Sequence, residues 1–335
     1  MKTGLRLAFV LLCVTASSAL GQPWRSGGKP VATYTIKVGG SALQVDFTAG
    51  DFDLPRQDIV NRIQKAALAV STYYGRFPVP RARVLVLPVG GESGVVQGTT
   101  WGDMDGFPGF TRLRIGQHTT KADLAADWTI THELVHMAFA SMPDDLSWLE
   151  EGIATYVEPI ARVQAGELTA EKVWGDMMAG MPNGEPEVGD GGLNANHSWG
   201  RTYWGGALFC LVADIEIRKQ TKNRKGLQDA LKAIVAAGGT IDKEWPIEKL
   251  LRIGDSATGT KVLEEMYASW SVAPKSVDLD KLWGELGVLR SGSHISFNPV
   301  APMSRIRVML TAPQESTVSK PASIPAAVPG GIAGH

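Results

Sequence analysis

The chain has 335 residues, 44% of them apolar and 20% charged, with a formal net charge of −1. This is an ordinary globular composition, able to bury a sizeable core. The near-neutral balance argues against nucleic acid or an anionic membrane as the main partner.

The first residues read Met1-Lys2-Thr3-Gly4-Leu5-Arg6, then an apolar run from Leu7 to Val14, then small residues to Gly21. A basic start, a short apolar stretch and small residues before a cleavage point predict a secretory signal peptide over 1–21. The run is too short to span a membrane as a helix, so no membrane insertion is expected after cleavage. Cys210 is then the only cysteine left, which excludes an intramolecular disulfide. Export without disulfides points to a secreted or periplasmic bacterial protein. Cys210 itself lies in the apolar run 207–212 and is read as core.

Residues 22–57 are predicted to hold a Gly/Pro/Ser-rich linker and then a β-hairpin. Tyr34, Ile36 and Val38 alternate, Gly39-Gly40 turns, and Leu43, Val45 and Phe47 alternate again. An amphipathic helix is expected from Asp53 to Tyr74, with Ile59, Ile63, Ala66, Ala67, Val70 and Tyr74 inward. Strands follow at 84–87 and 111–115. Between them, Val95–Trp101 suits either an edge strand or a surface loop. Thr120 caps a single helix expected from Lys121 to about Ala140, and Asp127 within it serves either to orient a ligand histidine or to satisfy a helix N-terminus. Residues 182–199 read as a long loop leading to Tyr203, of the kind that covers active sites. His197 lies within it. Helices are expected at 203–221, 227–237, 246–253, 260–270 and 278–287, then a strand pair in 295–310 and a disordered tail over 313–335.

The chemistry concentrates in Thr131-His132-Glu133-Leu134-Val135-His136. On a helix, residues four apart share a face, so His132 and His136 can bind one Zn²⁺ while Glu133 stands beside it as general base. A catalytic zinc needs a third protein ligand. Met142-Pro143-Asp144-Asp145 forces a turn, and Ser147 with Glu150 forms a capping box opening a second helix. Four residues into that helix, roughly 6 Å back along an antiparallel path, stands Glu151. Glu150 is assigned to the cap on the backbone of Ser147, and Glu151 to the metal.

H-E-L-V-H followed by W-L-E-E-G-I-A-T-Y-V-E resembles the gluzincin metallopeptidases, in the branch of aminopeptidase N and the glycyl aminopeptidases. The resemblance spans roughly residues 67–270. It implies an α+β, zincin-like two-lobed catalytic domain over 58–312, with a small mixed β-sheet lobe to about residue 141 and a mainly helical lobe after it. It also implies one Zn²⁺ on His132, His136 and Glu151, with Glu158 supporting the ligand shell. Arg201-Thr202-Tyr203-Trp204-Gly205 is similar to the family's Y-x-K-G-A, so Tyr203 inherits the role of oxyanion donor, while Gly205 stands in place of the family lysine. Glu150 likewise replaces the usual Asn. The motif that grips a substrate's free amine is not recognisable; Asp103 and Asp105 could substitute for it, but a solvated turn explains both more simply. The expectation is a secreted zinc peptidase acting on peptides or proteins, the alternative a zinc-containing binding or scaffold protein without turnover.

Overall fold

The computed structural model describes residues 30–314. The signal peptide over 1–21, most of the leader linker and nearly all of the 313–335 tail lie outside the described residues.

The alternating N-terminal segments form the predicted hairpin, β1 (Ala32–Val38) and β2 (Ser41–Phe47), paired antiparallel through Gly39-Gly40. Both glycines have positive φ, 57° and 81°, which a tight turn of this hand requires. Three further strands, β3 (Arg81–Val89), β4 (Val95–Met104) and β5 (Phe107–Gly116), complete a mixed sheet of order β1-β2-β3-β5-β4. β2, β3 and β5 run parallel, and β4 returns antiparallel on the outside of β5. Val95–Trp101 is therefore edge strand rather than loop.

The registers put Ile36, Leu43, Val45, Val84, Val86, Leu113 and Ile115 on one face, and all are fully buried. Helix α1 (Arg56–Tyr74) packs there with its predicted stripe buried, Ile59 and Ile63 included. Gly98 and Thr100 of β4 share this inner face through their pairing with Leu113 and Thr111. The outer face carries polar chemistry. Buried Asp46 accepts from Arg83 Nε at 2.7 Å, and Arg83 Nη1 donates to Asp105 at 2.9 Å.

The single helix expected over 121–140 is two helices, α2 (Lys121–Ala126) and α3 (Thr129–His136). Asp127 breaks it, its carboxylate accepting from Thr129 N and Ile130 N at 3.1 and 3.0 Å. Its role is thus the helix N-terminus, where an acid satisfies free amides. A turn at 137–139 ends the metal-motif helix earlier than expected. Helix α4 (Ser147–Gln164) follows.

Helix α5 (Ala170–Gly180) comes next, and α6 (Gly206–Gln220), α7 (Leu227–Ala236), α8 (Ile247–Thr258), α9 (Val262–Trp270) and α10 (Leu279–Leu286) follow the predicted order. Cys210 is buried in α6 and free, as its apolar neighbours imply. The strand pair expected in 295–310 is corrected: β7 (His294–Phe297) pairs with β6 (Val288–Ser291), and Ser304–Thr311 is helix α11. Met303, Ile306 and Leu310 are spaced three and four apart, a helical period. Among the described residues no helix is long and apolar enough to cross a membrane.

Candidate metal centre

Four elements meet at the H-E-L-V-H helix. α3 presents His132 and His136 one turn apart, with Nε2 atoms 3.2 Å from each other. α4 brings Glu151 between them, Oε2 lying 3.0 Å from His132 Nε2 and 3.5 Å from His136 Nε2. The three ligand atoms all fall within 4.8 Å of one another. Two imidazole nitrogens and one carboxylate oxygen converging on one point are the donor set of a catalytic zinc, with three protein ligands and a position to spare. The residues present therefore fit the ion that the motif implies.

The electrostatics follow from this convergence. Burial alone would push His136 down, but the facing Glu151 carboxylate, with Glu133 and Glu150 behind it, raises the imidazole to about 9. Burial would raise Glu151, yet His136 and His132 hold it well below the usual carboxylate range.

Glu133 points to the sheet. The residue is 8% exposed, and its Oε2 accepts from Thr100 Oγ1 at 2.7 Å. Gly98 lies against the same side chain, and a Cβ there would come within 2.4 Å of Glu133 Cγ. Edge strand β4 thus shapes the slot of the general-base candidate. Neither Gly98 nor Thr100 stood out in the sequence, although strand alternation across 97–101 places both on one face.

Glu150 does not cap Ser147, which already has helical geometry behind Leu146 at the N-cap. Its Oε1 instead accepts from Met142 N at 3.0 Å, tying α4 to the turn that leaves α3. Burial raises this carboxyl to about 7. Glu158, expected behind the ligands, is buried and accepts from Arg162 Nη1 at 2.8 Å. His132 Nδ1 makes no hydrogen bond.

Behind α3 lies a buried network that the sequence did not announce. Arg62 of α1 donates to Leu124 O at 2.9 Å, Asp127 O at 2.8 Å and Thr131 Oγ1 at 3.1 Å. Arg162 of α4 donates to Ala125 O at 3.2 Å, and both guanidinium groups face Glu167, at 3.6 and 3.7 Å. One guanidinium from α1 and one from α4 thereby fix the break that sets the start, and hence the register, of the histidine helix.

Tyr203 sits in a π-helical turn, Gly200–Gly205, that runs into α6. Such turns gather at functional sites. Its ring stacks on His132, centroids 5.9 Å apart and planes 16° from parallel. Burial, then the charges of Glu151 and Glu133, raise the phenol above its ordinary value, so it keeps its proton. The turn is held close to α4 by glycine on both sides. A Cβ on Gly152 would lie 2.4 Å from Gly206 Cα, and one on Gly206 would lie 2.0 Å from Trp148 O. Gly152→Ala is expected to force the two backbones apart and cost about 1–3 kcal/mol, an overpacking penalty visible in chemical denaturation.

The 182–199 segment packs against this turn. Arg201 donates to Gly184 O and faces Asp190 at 3.4 Å, and Asn194 Oδ1 accepts from Trp148 Nε1 at 2.8 Å. Gly205 meets Leu193 of the same segment, 3.0 Å from where a Cβ would stand. His197 is exposed. Asp103 lies at the end of β4 and Asp105 in the turn to β5, where Asp105 is committed to Arg83 on the outer face of the sheet.

No protein-family model matches the sequence, and no curated protein matches it. Among solved structures, an aminopeptidase N family protein from Idiomarina loihiensis aligns with a TM-score of 0.53 at 14% identity, covering 77% of this chain and 49% of that one. An M1 zinc metallopeptidase from Deinococcus radiodurans aligns with a TM-score of 0.45 at 16% identity, covering 74% and 52%. The first likeness supports the class of fold, α+β and resembling that of an aminopeptidase N family protein. The chain spans about half the length of the structures it matches.

Proposed function

We propose that the protein is a secreted zinc-dependent peptidase, with one Zn²⁺ per chain held by His132, His136 and Glu151 in a cleft between a sheet-bearing lobe and a helical lobe. The observation that carries this is the convergence of those three side chains beside a carboxylate, Glu133, that belongs to no ligand set. A bound Zn²⁺ supplies Lewis acidity, polarising a carbonyl and acidifying water.

The residues do the rest. Thr100 occupies Glu133 Oε2 and so fixes the carboxylate's rotation, leaving Oε1 to take the proton of the attacking water. The same carboxyl returns that proton to the leaving amine. Tyr203, protonated and one ring-stack from His132, donates to the oxyanion that develops on the carbonyl. Edge strand β4, next to Glu133, offers unpaired backbone groups to an extended peptide.

Digestion of a peptide library with mass-spectrometric readout tests this reading. Zinc-loaded protein should cleave members of the library, and Tyr203→Phe should lower turnover by about 10²-fold or more. A wild type that is inert across the library contradicts the peptidase reading.

A further inference from the structure

Ten large apolar side chains are exposed among the described residues, and the two aromatic ones are Trp128, 51% exposed, and Trp199, 56% exposed. Both belong to the ring system of the metal centre. Trp128, at the α2–α3 break, stands edge-on to His132, centroids 5.2 Å apart and planes at 90°. Trp199, at the entrance to the π-helical turn, lies nearly parallel to Tyr203, centroids 5.9 Å apart. The order is therefore Trp199, Tyr203, His132, Trp128, with a half-open indole at each end. Leaving an indole open to water forgoes its large burial free energy, and here each open indole adjoins a ring of the metal centre, where a substrate side chain could bury it.

Both are also held in place. Asp127, next to Trp128, is pinned through its carbonyl by Arg62 and through its carboxylate by the first amides of α3. Two residues after Trp199, Arg201 is buried and anchored to Gly184 and Asp190. The carboxylates of the centre already have roles: Glu133 holds Thr100 through Oε2 and keeps Oε1 for the attacking water, Glu150 accepts from Met142 N, and Glu151 faces the two imidazoles. A cationic substrate group would find indole faces without a spare carboxylate, whereas an aromatic or bulky aliphatic group needs only the faces.

We infer that Trp128 and Trp199 form the specificity surface of the centre and select peptides with an aromatic or bulky aliphatic side chain beside the scissile bond. This rests on the peptidase reading for the nature of the ligand, but not on turnover.

The test therefore measures binding as well as cleavage. Zinc-loaded Glu133→Gln protein is titrated by calorimetry with alanine hexapeptides in which one Phe is walked through the six positions. The same peptides are digested by wild-type protein. At a position on one or both sides of the scissile bond Phe should improve affinity and kcat/KM over Ala by about tenfold or more, the discrimination one filled apolar pocket supplies. Trp199→Ala and Trp128→Ala should each collapse the ratio at the position its indole contacts, and Trp199→Phe should restore most of what Trp199→Ala removes. The ratio is read within each variant, so a general loss of activity through Tyr203 does not mimic the result.

A flat Phe walk, or a preference that survives both alanine substitutions, overturns the inference. Discrimination in binding without cleavage by the wild type upholds the surface and contradicts the peptidase reading. Cleavage without discrimination does the reverse.

Discussion

Glu133→Gln should abolish peptide cleavage while leaving the metal in place. The amide keeps the side-chain volume that the slot beside Gly98 allows, and its oxygen can still accept from Thr100. What it lacks is a basic oxygen to take a proton from water. General-base contributions of this kind are typically 10²- to 10⁴-fold, so kcat should fall by about 10³-fold or more with little change in zinc content. Steady-state kinetics beside elemental analysis check both halves. Retained turnover would remove Glu133 from the mechanism, and lost zinc would make it part of the ligand set. Thr100→Val is the milder companion, because it frees the carboxylate to rotate without removing its basicity.

The second large effect is expected behind the histidine helix, at a residue that touches neither metal nor substrate. Arg62→Ala strips the hydrogen bonds from Leu124 O, Asp127 O and Thr131 Oγ1, and leaves Glu167 facing Arg162 alone in a buried site. Removing one partner of a buried charged network typically costs about 3–5 kcal/mol, because what remains is buried without its compensation. The loss should appear in urea denaturation of the apo protein. Zinc affinity should fall as well, since the same guanidinium fixes where α3 begins. Arg62→Lys should rescue little, because an ammonium cannot fork to acceptors on two segments. An apo protein as stable as wild type would show that the α2–α3 break holds itself.

The extent to which the site was legible follows from the range of the interactions. His132 and His136 were readable because i,i+4 geometry is local to one helix. Glu151 was readable because a Pro-containing turn and a helical rise fix how far the chain returns. Glu150 was misassigned at the same place: the capping-box pattern was present, but a 3₁₀ turn over 144–146 already starts the helix, and the carboxylate reaches across to Met142 instead. The break at Asp127 lost to the continuous apolar pattern around it, although an acid two residues ahead of Thr129 is itself a start signal. The hairpin, α1 and the inner strand faces came through because their periods are clean. Thr100, Gly98 and Arg62 did not, since each acts on a residue 33 or more positions away or across a strand pairing that no local pattern specifies. The glycine of W-L-E-E-G has a plain reason in space: Gly152 and Gly206 let α4 and the Tyr203 turn touch backbone to backbone.

Metal content decides the account most directly. Protein stripped with chelator and reloaded should bind one zinc per chain by elemental analysis, and His136→Ala and Glu151→Ala should each bind far less while remaining folded by circular dichroism. Wild-type protein that takes up no zinc, or a Glu151→Ala variant that holds it as tightly as wild type, would contradict the convergence of these three side chains on one ion.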